Sequence, residues 1–140
     1  RIFEHRLKQL PDAIIGHSVG EIAAAYAAGC ISLEDAAQVT HARTFLQQRV
    51  AGRGGMAAVG LPADKMTDLL EANHLQAIDI AAYNSAKMVT VAGTHQLLDQ
   101  LKQILPCDTF FAKMRVDVAY HSSHMEDENI EFDLKKHLGS

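Results

Sequence analysis

The sequence predicts an α/β chain in two parts, a strand–turn–helix–helix segment followed by a βαββαβ unit. Three observations predict it. Gly16-His17-Ser18-Val19-Gly20 falls between a short apolar run and an alanine-rich helical run. Gly52, Gly54 and Gly55 then mark a joint. Beyond the joint, strand-length apolar runs alternate with helix-length periodic ones. The parts expected are residues 1–55, 56–116 and a closing segment, 117–140.

The elements follow in order. Ile2, Phe3, Leu7 and Leu10 fit one face of a short helix that Pro11 ends, and Asp12 to Gly16 reads as a short buried strand. From Val19 to Ala28 the alanines and Ile22 suit a tightly packed helix, stopped by Gly29. Ser32-Leu33-Glu34-Asp35 has a capping-box pattern and opens a second helix to about Val50. Met56 to Leu61 reads as a strand, and Pro62 opens a helix through Ala72. Ile78 to Tyr83 and Met88 to Ala92 read as strands joined by a turn at Asn84-Ser85-Ala86. Thr94 caps a helix to Leu105, and Thr109 to Arg115 makes the last strand. The order β-α-β-β-α-β is that of the split, ferredoxin-like motif. The tail from Asn129 reads as a polar helix or an unordered segment, and both ends of the sequence look cut.

Composition excludes several function classes. The 140 residues are 48% apolar and 21% charged, as in an ordinary globular chain. The formal charge of −4 comes without a basic run, which argues against a nucleic-acid partner. No apolar stretch approaches the roughly 18 residues of a membrane span, and no signal peptide is visible. Cys30 and Cys107 have neither metal nor redox spacing and read as free thiols of a cytoplasmic protein.

The chemistry centres on Ser18. A G-x-S-x-G pattern between strand and helix is a nucleophile elbow: small neighbours let the backbone turn sharply while the hydroxyl stands clear. This makes the first part a fragment of an α/β-hydrolase-like large subdomain. The Val19 N–H, at the start of the helix, is a candidate oxyanion donor. A serine hydroxyl needs a base to take its proton. Among eight histidines, His17 is too close on its turn to serve and suits pocket shaping instead. His5, His74, His95 and His137 fall on helices or their ends, and His41 lies within a helix. His121 follows the last strand of the second unit, in a loop free to fold back over the elbow. His121 and His124 have i,i+3 spacing but no third ligand beyond generic carboxylates, so no metal is expected.

With Ser18, Arg43 and His121 located, the chain resembles the acyltransferase domain of polyketide synthases and animal-type fatty acid synthases, related to malonyl-CoA:acyl carrier protein transacylases. Four stretches carry the likeness: Pro11 to Ala25 (PDAIIGHSVGEIAAA), Ala28 to Ala36, Ala82-Tyr83-Asn84-Ser85 through Gly93, and Val118-Ala119-Tyr120-His121-Ser122. It covers roughly Pro11 to Met125. The resemblance implies Ser18 as the acyl-accepting nucleophile, His121 as its base and Arg43 as the holder of a malonyl carboxylate. A guanidinium fork suits that carboxylate through two parallel charge-assisted bonds. His17 and Tyr120 fall to the substrate pocket on the same basis. The implied reaction is ping-pong transfer from malonyl-CoA, or a related acyl-CoA, through an acyl-serine to the phosphopantetheine thiol of an acyl carrier protein. It takes place among neighbouring domains of a multidomain synthase, with no bound cofactor.

Val19 and the Ala-Tyr-His sequence lean towards malonyl over methylmalonyl, although Val118-Ala119-Tyr120-His121 matches neither signature of the family cleanly. The family's glutamine-containing loop, a second oxyanion donor, would precede the first residue here, and a further segment would follow the histidine. Two other readings stand beside this one. A serine hydrolase or thioesterase would use the same elbow, with Asp79, Asp99, Asp108 or Asp117 as its acid. A catalytically incomplete fragment would serve only as scaffold.

Overall fold

The computed structural model describes residues 11–126 and 133–136. The expected first helix therefore lies outside the described residues, as does most of the tail from Asn129. The chain divides into two compact units, one holding residues 11–45 with 134–136 and the other residues 46–126 with Asp133.

The first unit is helical. Helix α1 covers Gly20–Ala27, and α2, Leu33–Gln47, starts in this unit. Gly29 ends α1 at a φ of +75°, in the left-handed region that glycine enters without a Cβ penalty. The Cys30 N–H donates to the Ala25 carbonyl and the Gly29 N–H to that of Tyr26, the paired bonds of a Schellman stop. The capping box at α2 forms as its pattern predicts: Asp35 N–H donates to Ser32 Oγ at 3.0 Å, and Ser32 N–H and Oγ donate to Asp35 Oδ2. The bond from the Ser32 hydroxyl, followed by that from its N–H, holds the Asp35 carboxyl below the usual carboxylate range.

Two expectations fail here. Residues 12–16 form no strand, and Ile15 is 92% exposed. An apolar run becomes a strand only through a hydrogen-bonded ladder, and no strand of the described residues pairs with this one. Likewise α1, expected to be tightly packed, has no buried residue. Its composition is apolar almost all round, so a single neighbour cannot cover it.

The second unit is an antiparallel sheet with two helices. Its elements run β1 (Gly55–Val59), α3 (Ala63–Ala72), β2 (Asp79–Ser85), β3 (Met88–Gly93), α4 (His95–Ile104) and β4 (Phe111–Lys113). Strand order is β2-β3-β1-β4, every neighbouring pair antiparallel. The period-2 alternation of strands decides which side is core. Ala57, Val59, Val89 and Val91 face Met66 and Leu70 of α3 and Leu98 and Leu101 of α4 in one buried cluster. Met56 pairs with Ala92 in the ladder, and both turn to the opposite face, where Ala119 packs on them.

The first and last strands are shorter than expected, while β2 and β3 run on to Ser85 and Gly93. The last reaches only Phe111–Lys113, because pairing with β1 ends there. The β2–β3 turn is tighter than expected, since β2 runs through Ser85, and Thr90 Oγ1 donates to Asn84 Oδ1 across the hairpin. Among the described residues no helix is long and apolar enough to cross a membrane.

Thr94 caps α4 as expected, its Oγ1 accepting from the Leu97 N–H at 3.2 Å. Thr94→Ala is expected to lower stability by about 1 kcal/mol. Urea unfolding followed by circular dichroism checks this; an unchanged midpoint would show the cap to be energetically silent.

Candidate active site

The turn at Ser18 is built by its neighbours. Ser18 has a φ of +54°, in the left-handed region. A non-glycine residue held there costs about 1–3 kcal/mol and persists only where its surroundings over-determine it. The determining contacts are local. Gly20 N–H donates to the His17 carbonyl at 2.9 Å, and Glu21 N–H to the Ser18 carbonyl at 3.0 Å. Gly16 lies so close to the start of α1 that a Cβ there would come within 2.3 Å of the Gly20 carbonyl oxygen. The first glycine of the motif is thus required sterically, whereas a Cβ on Gly20 would meet nothing within 4 Å among the described residues. Gly16→Ala is expected to destabilise the turn by about 1–3 kcal/mol or to reshape it. Faster amide exchange over residues 17–21 would report this, and unchanged exchange would contradict it.

Arg43, on α2, brings its guanidinium to this turn. Its Nη2 stands 3.5 Å from Ser18 Oγ, at the long limit of a hydrogen bond. Arg43 is half-buried and forms no ion pair among the described residues. A cation with a planar donor fork therefore borders the hydroxyl. The Gly20 and Glu21 amides donate within the turn, and Val19 is the N-cap residue of α1. The His17 side chain is exposed, and its carbonyl closes the turn. Beside the turn, an apolar groove of about 690 Å³ runs between α1 and α2, lined by residues including Val19, Ile22, Tyr26, Ala36 and Thr40.

His121 and Tyr120 belong to the second unit. His121 also has a positive φ, +58°, and is exposed. Tyr120 is half-buried against the Met56, Ala92 and Ala119 cluster. After His121 the chain makes a 3₁₀ turn, Ser123–Met125. Here the structure holds contacts that sequence reasoning missed. Asp79 Oδ2 accepts from both the N–H and the hydroxyl of Ser123, each at 2.8 Å, and His124 Nε2 lies 2.9 Å from the Ala77 carbonyl. Asp79 had a place in the sequence only as one of four candidate triad acids; no spacing rule links it to a serine 44 positions on. Another of the four, Asp99, is paired with Lys113 at 2.7 Å, and that bond holds its carboxyl below the usual range.

Ser18, on its left-handed turn, thus has the start of α1 and the guanidinium of Arg43 beside it. The family follows from comparison with known proteins. Residues 9–138 match the model of the acyl transferase domain, and the chain belongs to that family. It is 42% identical over 120 residues to the highly reducing polyketide synthase acrA of Aspergillus aculeatus, covering 82% of this chain and 5% of the synthase. Among solved structures it is similar to the acyltransferase domain from module 8 of the salinomycin polyketide synthase. That match has 34% identity and a TM-score of 0.81 over 91% of this chain and 30% of the other. It is also similar to the acyltransferase domain of phenolphthiocerol/phthiocerol synthase A from Mycobacterium bovis (BCG), with 28% identity and a TM-score of 0.84 over 99% of this chain and 51% of that one. The chain thus spans 5% of the synthase and 30% and 51% of the two solved chains.

Proposed function

We propose that this chain carries the acyl-transfer chemistry of a polyketide-synthase acyltransferase domain, moving a malonyl-type unit from CoA to the phosphopantetheine thiol of an acyl carrier protein. The observation that carries the reading is the guanidinium of Arg43 beside Ser18 on its left-handed turn. A neutral acyl group has no use for that cation, whereas the free carboxylate of a malonyl group accepts two parallel bonds from it.

In this reading His121 takes the Ser18 proton as the hydroxyl attacks the thioester carbonyl. The tetrahedral oxyanion is stabilised by the Val19 N–H, and collapse expels the CoA thiolate, which takes the proton from His121, to leave malonyl-Ser18. The carrier thiol then attacks the ester, giving its proton to His121, and collapse leaves the acyl group on the carrier sulfur as His121 returns that proton to Ser18 Oγ. No resident cofactor takes part; CoA and phosphopantetheine enter as parts of the substrates. His17 and Tyr120 shape the pocket, and neighbouring synthase domains in the cytoplasm supply the carrier. Structurally, the first unit is read as part of an α/β-hydrolase-like large subdomain and the second as a ferredoxin-like small one. The latter reading is supported by its element order and its strand order β2-β3-β1-β4.

The test is brief incubation with malonyl-CoA followed by intact-mass measurement and peptide mapping. A malonyl adduct on the Ser18 peptide that a phosphopantetheine thiol discharges supports the proposal. CoA release with no adduct favours a hydrolase. Neither adduct nor CoA release from the folded chain makes it a scaffold.

A further inference from the structure

We infer that Asp79 is a positioning residue for His121, fixing the turn on which the imidazole is carried; the inference rests on the proposed role of His121 as base. A left-handed φ at a histidine needs contacts on both sides to hold it. On the N-terminal side, Val118 and Ala119 are each 3% exposed, Ala119 packs on Met56 and Ala92, and Gly52 N–H donates to the Asp117 carbonyl at 2.8 Å. Ser122 bridges over His121: its Oγ donates to the Ala119 carbonyl at 2.6 Å and accepts from the His124 N–H.

On the C-terminal side, the chain is fastened to the sheet at Ser123 and His124. Asp79 supplies both acceptor contacts of Ser123 through one carboxylate oxygen, and ionised acceptors make the stronger bonds. Asp79 is itself the first residue of β2, paired in register with Ala92 of β3. Its carboxylate is therefore mounted on the sheet and not on a loop, the arrangement that holds a catalytic side chain within a fraction of an ångström. Ala77, which receives His124, lies two residues before it. His121 is thus suspended between the Ala119 anchor and the Asp79 anchor, with three residues, Tyr120, His121 and Ser122, between them.

The experiment compares wild type, Asp79→Ala and Asp79→Asn in the complete chain. Asparagine keeps an acceptor oxygen for Ser123; alanine removes it. Asp79→Ala is expected to lower kcat of malonyl-CoA-dependent acylation about 10- to 100-fold with KM nearly unchanged, since small displacements of a catalytic group cost rates of that order. Asp79→Asn is expected to restore most of it. By amide exchange, Ser123 should exchange at least roughly tenfold faster in Asp79→Ala and keep its protection in Asp79→Asn, with β1 and β3 unchanged in both. Unchanged exchange at Ser123, unchanged kcat in Asp79→Ala, no rescue by asparagine, or loss of protection throughout the sheet would each overturn the inference. Should wild type itself form no acyl-serine, the role of His121 falls with the proposed function. The exchange comparison then still decides whether Asp79 fixes the turn.

Discussion

Replacing Ser18 by alanine is expected to abolish the malonyl adduct and to lower acyl transfer by roughly 10⁶-fold, the scale of nucleophile removal in other serine sites. The reasoning is chemical before it is structural. The hydroxyl is the atom that becomes the ester, and no neighbouring side chain on the turn offers a substitute, since His17 is directed to solvent and Val19 is apolar. Alanine also retains a Cβ, so the cost of the φ of +54° is nearly unaltered and the turn should keep its shape. Intact-mass measurement checks the adduct, and circular dichroism confirms that the fold is kept. A persistent adduct in Ser18→Ala would locate the nucleophile elsewhere and overturn the proposed function.

Arg43→Ala is expected to lower kcat/KM for malonyl-CoA about 10- to 150-fold while leaving acetyl-CoA little changed. A hydrogen bond to a charged group is worth about 1.5–3 kcal/mol, and every 1.4 kcal/mol is tenfold. The selectivity between the two substrates is the informative quantity, because a general loss of folding would depress both equally. Lysine at this position should recover only part of the loss, since a point charge cannot present the two parallel donors of guanidinium. Competition between malonyl-CoA and acetyl-CoA, read by the mass of the adduct, measures the ratio directly. An equal fall for both substrates would remove Arg43 from carboxylate recognition.

Much of the secondary structure was legible because its signals are local. Thr94, Pro62 and the Ser32–Asp35 pair announce their helices by short-range capping chemistry, and each helix begins within a residue or two of its signal. Residues 56–59 and 88–92 were legible as strands, but their faces were not: both faces are largely buried, and only the ladder shows that Ala57, Val59, Val89 and Val91 turn to the helices and Met56 and Ala92 to the other side. Residues 12–16 show the opposite case. Asp12-Ala13-Ile14-Ile15 has the composition of a buried strand, but pairing is non-local, and local composition cannot supply the partner. At the candidate site, the G-x-S-x-G spacing around Ser18 is legible in the sequence, whereas the 3.5 Å approach of Arg43 Nη2 to Ser18 Oγ joins residues 25 positions apart and depends on how α1 and α2 pack. The Asp79–Ser123 contact was not readable. It joins a strand start to a loop far along the chain, and each residue taken alone is an ordinary surface polar group.

The left-handed backbone at Ser18 also narrows which nucleophiles the position can ever hold. Threonine carries the same hydroxyl, yet its β-branch makes a positive φ a severe outlier. One added methyl group would thus force the turn to open before any reaction could be attempted. Cysteine has no such branch and fits the same backbone. The shape of this peptide, and not the reactivity of the side chain, sets the short menu of residues from which an acyl acceptor here can be drawn.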